Sequence, residues 1–135
     1  MQANDLKIVT VKTPREIVTK QQLPYFVGIS KQTAGANHIS MNLVVIPPGA
    51  TAQAHYHKDF ETGIYVLEGE VETKFGDGLR QSVINGPGDF IFIPPDLPHQ
   101  PTNLSLEKSA KAIVVRNDPN EQENVVPYEP SNKIK

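Results

Sequence analysis

Apolar and β-branched residues along this chain come in short runs divided by turn residues. The runs predict strands over 6–12 (LKIVTVK), 15–19 (REIVT), 25–30 (YFVGIS), 38–46 (HISMNLVVI) and 51–57 (TAQAHYH). Further strands are predicted over 63–68 (GIYVLE), 70–75 (EVETKF), 80–85 (RQSVIN), 89–93 (DFIFI) and 110–116 (AKAIVVR). The breaks between them carry turn chemistry: PPGA at 47–50, GDG at 76–78, NGPG at 85–88 and PPDLP at 94–98. GDG between EVETKF and LRQSVIN is a hairpin signal. No window of about ten residues or more holds a helical period. Many short strands at this spacing predict an all-β sandwich or barrel.

LVVIPPGA (43–50) and FIFIPPDLP (90–98) echo one another. Each is an apolar run stopped by two prolines, and each is followed by histidine: His55 and His57 after the first, His99 after the second. A buried strand, a forced stop and a re-entry would aim those side chains inward. The tail from about 118 (DPNEQENVVPYEPSNKIK) is polar and carries prolines, which predicts a surface strap or a loose end. Val125, Val126 and Tyr128 are its candidates for packing.

Composition narrows the picture. A chain of 135 residues fits one domain, 1–135, with its core over about 24–117 and N-terminal strands over 1–23. Twelve prolines in that length exceed the usual share of about 5% and argue against long helices. A formal charge of −2 gives no pull toward nucleic acid or an anionic membrane. No run of about 18 apolar residues is present, so no spanning helix is expected. The chain has no cysteine, which rules out disulfides and thiolate metal sites. That, and an N-terminus without a signal-peptide apolar core, leads to the expectation of a cytoplasmic protein.

Of four histidines, two stand as His55 and His57. Strand residues two apart share a face, so both point one way, with Gln53 beside them and Tyr56 opposite. Two imidazoles on one face suit a divalent cation. Glu61, four residues on, could close on the same ion from the next strand, and His99 could join from the segment after PPDLP. Taken singly, each has an ordinary structural explanation. His38 reads as a strand or surface histidine.

Together these residues resemble the two motifs of the cupin superfamily. The family's first motif runs glycine, five residues, His-x-His, three or four residues, glutamate, six residues, glycine. Here it matches Gly49, ATAQA, His55, Tyr56, His57, KDF, Glu61, TGIYVLE and Gly69. The second motif runs glycine, five residues, proline, one residue, glycine, two residues, histidine, three residues, asparagine. Here it matches Gly88, DFIFI, Pro94, Pro95, Asp96, LP, His99, QPT and Asn103. Two departures stand out. Counting forward from His57 selects Glu61, whereas counting back from Gly69 selects Thr62. Ligand chemistry favours Glu61, and Gly63 offers a bulge to absorb the extra residue. Asp96 replaces a glycine, a mild change because aspartate tolerates left-handed backbone.

The resemblance implies a small single-domain cupin: an antiparallel jelly-roll β-barrel with little helix. It implies one divalent transition metal per chain (iron, manganese, nickel, zinc or copper) held by His55, His57, Glu61 and His99. It also implies a small-molecule ligand and a homodimer, with LKIVTVK as an edge that wants covering. Metal-free sugar-nucleotide epimerases of the superfamily fit poorly. The function implied is binding, and dioxygenase-like oxidation, of a small organic acid or enol-type compound on the ion. The alternative is a small-molecule- or metal-binding module without turnover. Gln53, Met41 or Asn42, Tyr65, Phe75, Phe90 and Phe92 are the inward candidates around the ion. Arg80 and Arg116 read as solvated charges rather than as clamps for a substrate carboxylate.

Overall fold

A computed structural model describes residues 6–12, 15–18, 23–120 and 125–129. Among them eleven strands form: β1 (Arg15–Val18), β2 (Pro24–Ile29), β3 (Ser40–Ile46), β4 (His55–His57), β5 (Thr62–Glu68), β6 (Val71–Phe75), β7 (Gln81–Asn85), β8 (Phe90–Ile93), β9 (His99–Asn103), β10 (Ala110–Arg116) and β11 (Val125–Pro127). They make two antiparallel sheets. One has the order β1-β2-β3-β10-β5-β8, the other β11-β4-β9-β6-β7. The all-β, antiparallel jelly-roll expectation is met, as two facing sheets rather than a closed barrel.

The core lies between the sheets, and the period of two is plainest on β2 and β3. On β3, Ser40, Asn42, Val44 and Ile46 are buried while Met41 faces out. Leu23, Tyr25, Val44, Ile46, Ala52, Ala110 and Val114 pack as one apolar cluster. Asn103, 1% exposed, stitches this end of the fold. Its Nδ2 donates to the carbonyls of Ile46 (3.0 Å) and Lys108 (2.8 Å), and its Oδ1 accepts from the Ser105 N–H at 2.9 Å. Gly69 has φ +86°, and a Cβ there would sit 2.8 Å from that of Ala110. Only glycine fits that turn out of β5.

Several predicted boundaries move. Residues 6–12, predicted as a strand, are described but not strand. The predicted strand 51–57 shrinks to His55–His57, with Thr51 making an isolated bridge to Thr102. β9 contains Pro101, which masks it as a strand in the sequence. Pro101 falls between the pair His55↔His99 and the bridge Thr51↔Thr102, where the ladder toward β4 is interrupted. The tail supplies β11, which pairs Val125 with His57 and Pro127 with His55. Tyr128 fastens it, its hydroxyl accepting the Gly78 N–H at 2.9 Å. One short helix, α1 (Lys31–Ala34), was not foreseen. Ser30 caps it reciprocally with Thr33, a capping box built with threonine in the third position. No helix among the described residues is long and apolar enough to cross a membrane.

Candidate metal centre

Strand register brings the three histidines together. His55 on β4 lies directly opposite His99 on β9, and directly opposed residues in a ladder meet side by side. His57 is two residues on from His55 and so shares its face. Ring centroids are 4.4 Å apart for His55–His99, 5.0 Å for His55–His57 and 5.7 Å for His57–His99. One ring nitrogen from each falls within 4.8 Å of the others, and all three side chains are buried. The PPDLP turn holds β4 against the start of β9. Asp96 takes φ +68° there, as an aspartate in a glycine's place can. Its N–H donates to the His57 carbonyl at 2.9 Å, and its carboxylate accepts the Asp59 N–H at 3.1 Å.

The hydrogen bonds orient the rings. His55 Nδ1 donates to the Gln53 carbonyl at 2.7 Å, and His99 Nδ1 to the Leu97 carbonyl at 2.9 Å. Both acceptors are carbonyls, so both Nδ1 atoms carry the proton and both Nε2 atoms keep a free lone pair. His57 Nε2 is buried with no hydrogen-bond partner among the described residues. Burial is the main force on their protonation. It lowers His55 to about 3 and His99 to about 4, with the charge of Arg116 acting in the same direction. His57 is driven down further still, by burial first and Arg116 next. All three are therefore neutral at neutral pH, the form that ligates a cation. An orphaned nitrogen, two carbonyl-fixed tautomers and a three-imidazole donor set fit a divalent transition ion.

Glu61 is not brought into this cluster. Its side chain is exposed, and its backbone N–H donates to Asn117 Oδ1 at 2.8 Å. Thr62 is the residue that turns inward, 2% exposed. The bulge imagined at Gly63 is absent, since Gly63 pairs regularly with Phe92 and Val115. The irregularity lies at Leu67, skipped between the pairs Ala112↔Val66 and Lys111↔Glu68. Glu61 thus stays on the outer side of the first β5 residue.

A cavity of about 80 Å³ adjoins His55 and His99, with Thr62, Thr73 and Arg116 as its other polar lining and mainly aliphatic side chains for the rest. A second of about 150 Å³ shares His99, Ile64, Ile91 and Ile93 with it and reaches Phe75. Asn42 is buried, as one of the predicted alternatives had it. Gln53, Met41, Tyr65, Phe90 and Phe92 turn out to be exposed, because each falls on the outward half of the strand alternation or outside a strand. Phe92 still reaches the rim of the second cavity. His38 is exposed. Arg80 is a surface residue 3.9 Å from Asp77. Arg116 is the reverse of the solvated charge expected: it is 7% exposed, its Nε donating to Thr62 Oγ1 at 3.0 Å and its Nη2 to the Tyr25 hydroxyl at 3.3 Å. The signal was in AKAIVVR, where Val114 and Arg116 alternate onto one face.

Known proteins place this geometry. No curated protein matches the chain. Among solved structures, the polyketide cyclase RemF from Streptomyces resistomycificus superposes with a TM-score of 0.66 and 25% identity, covering 98% of this chain and 86% of that one. Oxalate decarboxylase from Bacillus subtilis superposes with a TM-score of 0.73 and 18% identity, covering 96% of this chain but 36% of its own. The chain thus spans about a third of the decarboxylase, and at that identity the likeness concerns the fold. The family described as Cupin domain matches residues 42–116, more than half of the sequence and the segment that carries all three histidines. The chain belongs to the cupin family.

Proposed function

We propose that His55, His57 and His99 hold one divalent transition ion and that the adjoining cavity offers it a small carboxylate or enol-type ligand. The observation that carries this reading is His57 Nε2, buried, unpartnered and clustered with two imidazoles whose tautomers are fixed. When bound, such an ion supplies Lewis acidity toward a ligand oxygen and, if redox-active, a route to dioxygen chemistry. The chain's own part is to fix the imidazoles, keep them neutral and exclude water with an aliphatic wall. Oxidation of the bound ligand is the first reading of the reaction. The likeness to a polyketide cyclase along nearly the whole chain supports a second, redox-neutral chemistry on an enolisable ketone.

Metal analysis and mass spectrometry of the purified protein test the binding step. About one transition ion per chain is expected, falling to near none in His99→Ala. Full occupancy in that variant would remove His99 from the site. Oxygen uptake by the loaded protein with a panel of enolisable acids separates the chemistries. Uptake supports oxidation, a changed product without uptake supports the redox-neutral reaction, and an unchanged ligand leaves a binding module.

A further inference from the structure

Arg116 is the last residue of β10, and its guanidinium ends inside the cavity beside His55 and His99. Two of its N–H groups are engaged, by the Thr62 and Tyr25 hydroxyls. Both partners are neutral. Among the described residues, Arg80–Asp77 and Lys111–Glu68 are ion pairs, and no ion pair involves Arg116. A guanidinium stays protonated in a protein, and a buried charge without a counter-charge is strongly disfavoured. Buried arginines are accordingly paired, most often with a planar oxyanion that accepts two parallel N–H bonds.

The missing counter-charge has a definite place. Glu61 lies outside, and the inward position next to the histidines belongs to Thr62, which is itself tied to Arg116. The Thr62 hydroxyl and the Tyr25 hydroxyl hold the guanidinium from two strands, so its remaining N–H fork is fixed rather than swinging. The rest of the lining is mainly aliphatic, with Leu23, Val44, Ile46, Val66 and Ile93 in it and Thr73 as a further hydroxyl. A ligand that suits these walls has one anionic head and an apolar body.

We infer that Arg116, braced by Thr62 and Tyr25, is the binding residue for the carboxylate of a small apolar monocarboxylic acid, whose head lies between the guanidinium and the rings of His55 and His99. This rests on the reading of the cavity as a ligand site, and it names the part of the ligand that the metal reading leaves open. The carboxylate supplies the negative charge that the chain itself withholds from the inner end of β5. A positive subsite needs no resident ion to act, so the metal-free chain selects carboxylates as well.

Calorimetric titration of the full chain with straight-chain monocarboxylates from acetate to hexanoate, each paired with its uncharged amide, tests this. Both metal-free and metal-loaded protein are titrated, with metal content measured separately. In the metal-free form at least one acid is expected to bind about tenfold or more tightly than its amide. Arg116→Gln is expected to abolish that preference while leaving metal content unchanged, and Arg116→Lys, which keeps the charge but not the planar fork, to retain part of it. Equal affinity for acids and amides in the wild-type chain overturns the inference, even should Arg116→Gln fail to fold. So does an undiminished preference in a folded Arg116→Gln. So does the absence of binding across the whole acid series. A chain that holds no metal yet binds acids through Arg116 overturns the metal reading alone. A chain that holds metal yet ignores the acids overturns the Arg116 subsite alone.

Discussion

Replacing His57 with leucine separates the cost of the site from its use. In the metal-free chain His57 Nε2 is buried without a partner among the described residues, and an unsatisfied buried polar group costs about 1–3 kcal/mol. Leucine removes that group and fills a similar volume, so the metal-free variant is expected to be more stable by about 1–2 kcal/mol after imperfect repacking. Unfolding entropy scales with length, and for 135 residues each kcal/mol moves the midpoint by roughly 3–4 °C. A rise of about 3–7 °C in Tm follows for His57→Leu in chelator. With metal the order reverses. Free ion at about a hundred times its Kd stabilises the native chain by about 2.7 kcal/mol, some 8–10 °C on the same scale, and the variant loses that gain. Differential scanning calorimetry with chelator and with each divalent ion reads both numbers. A variant that melts below the wild type in chelator would mean that the nitrogen already has a use in the empty fold. A metal-dependent shift of wild-type size in the variant would mean that His57 does not hold the ion.

Glu61→Gln is expected to leave metal content unchanged by elemental analysis, because its side chain is exposed; a marked loss would put Glu61 back among the ligands. The metal-free chain is expected to lose stability as pH falls from about 6.5 toward 4. His55 at about 3 and His99 at about 4 take up protons in the unfolded chain before the folded one, so their contribution is complete above 6.5 and is lost on acidification. Urea unfolding at pH 7 and pH 5 should differ by about 2 kcal/mol for each of them; no difference would mean that the rings stay accessible to protons. Asn103→Ala removes an acceptor and two strong donor bonds from a buried position and is expected to cost about 3 kcal/mol in urea unfolding; a loss under about 1 kcal/mol would show that water replaces the amide. A homodimer is expected through the outer face of the six-stranded sheet, where Met41, Val115 and Phe92 continue one cross-strand row and Tyr65 meets Phe90 in the next. Light scattering should give a dimer for the wild type and a monomer for Phe90→Glu, whose side chain is 84% exposed in the single chain; a monomeric wild type at high concentration would defeat this.

Much of the fold was legible because short apolar and β-branched runs are bounded by turn residues. The strands over 25–30, 63–68, 70–75, 80–85, 89–93 and 110–116 appear with no boundary shifted by more than one residue. Two of the segments misread lacked that signal, and one carried it without forming a strand. HQPTN is polar and holds a proline, and it becomes β9 through tertiary pairing with β6 rather than through propensity. LKIVTVK carries the pattern of a strand but is not one among the described residues. The tail became β11 because β4 presents an open edge to it, and nothing in residues 125–127 announces that partner. The meeting of His55, His57 and His99 was legible from motif spacing, and in the fold it is the pairing of β4 with β9 that brings them together.

The inner end of β5 was not legible, and the reason is geometric. Alternation assigns faces within a strand but says nothing across a connection, and Lys58–Phe60 intervene between His57 and Glu61. Either of two adjacent residues could have turned inward, and ligand chemistry pointed to the wrong one. Pairing with β10 decided it: Thr62 lies opposite Arg116, and the skipped residue is Leu67, far enough along to leave that pair intact. A slip of one residue exchanges the faces of a strand, and here it exchanges a carboxylate for a hydroxyl. With glutamate inward, Arg116 would have had its counter-ion inside the protein. With threonine inward, the guanidinium has no ion-pair partner among the described residues and sits near neutral imidazoles. The same choice of inward residue that leaves a presumed ligand out of the cluster therefore gives the cavity its positive end, and the proposed carboxylate subsite rests on that end.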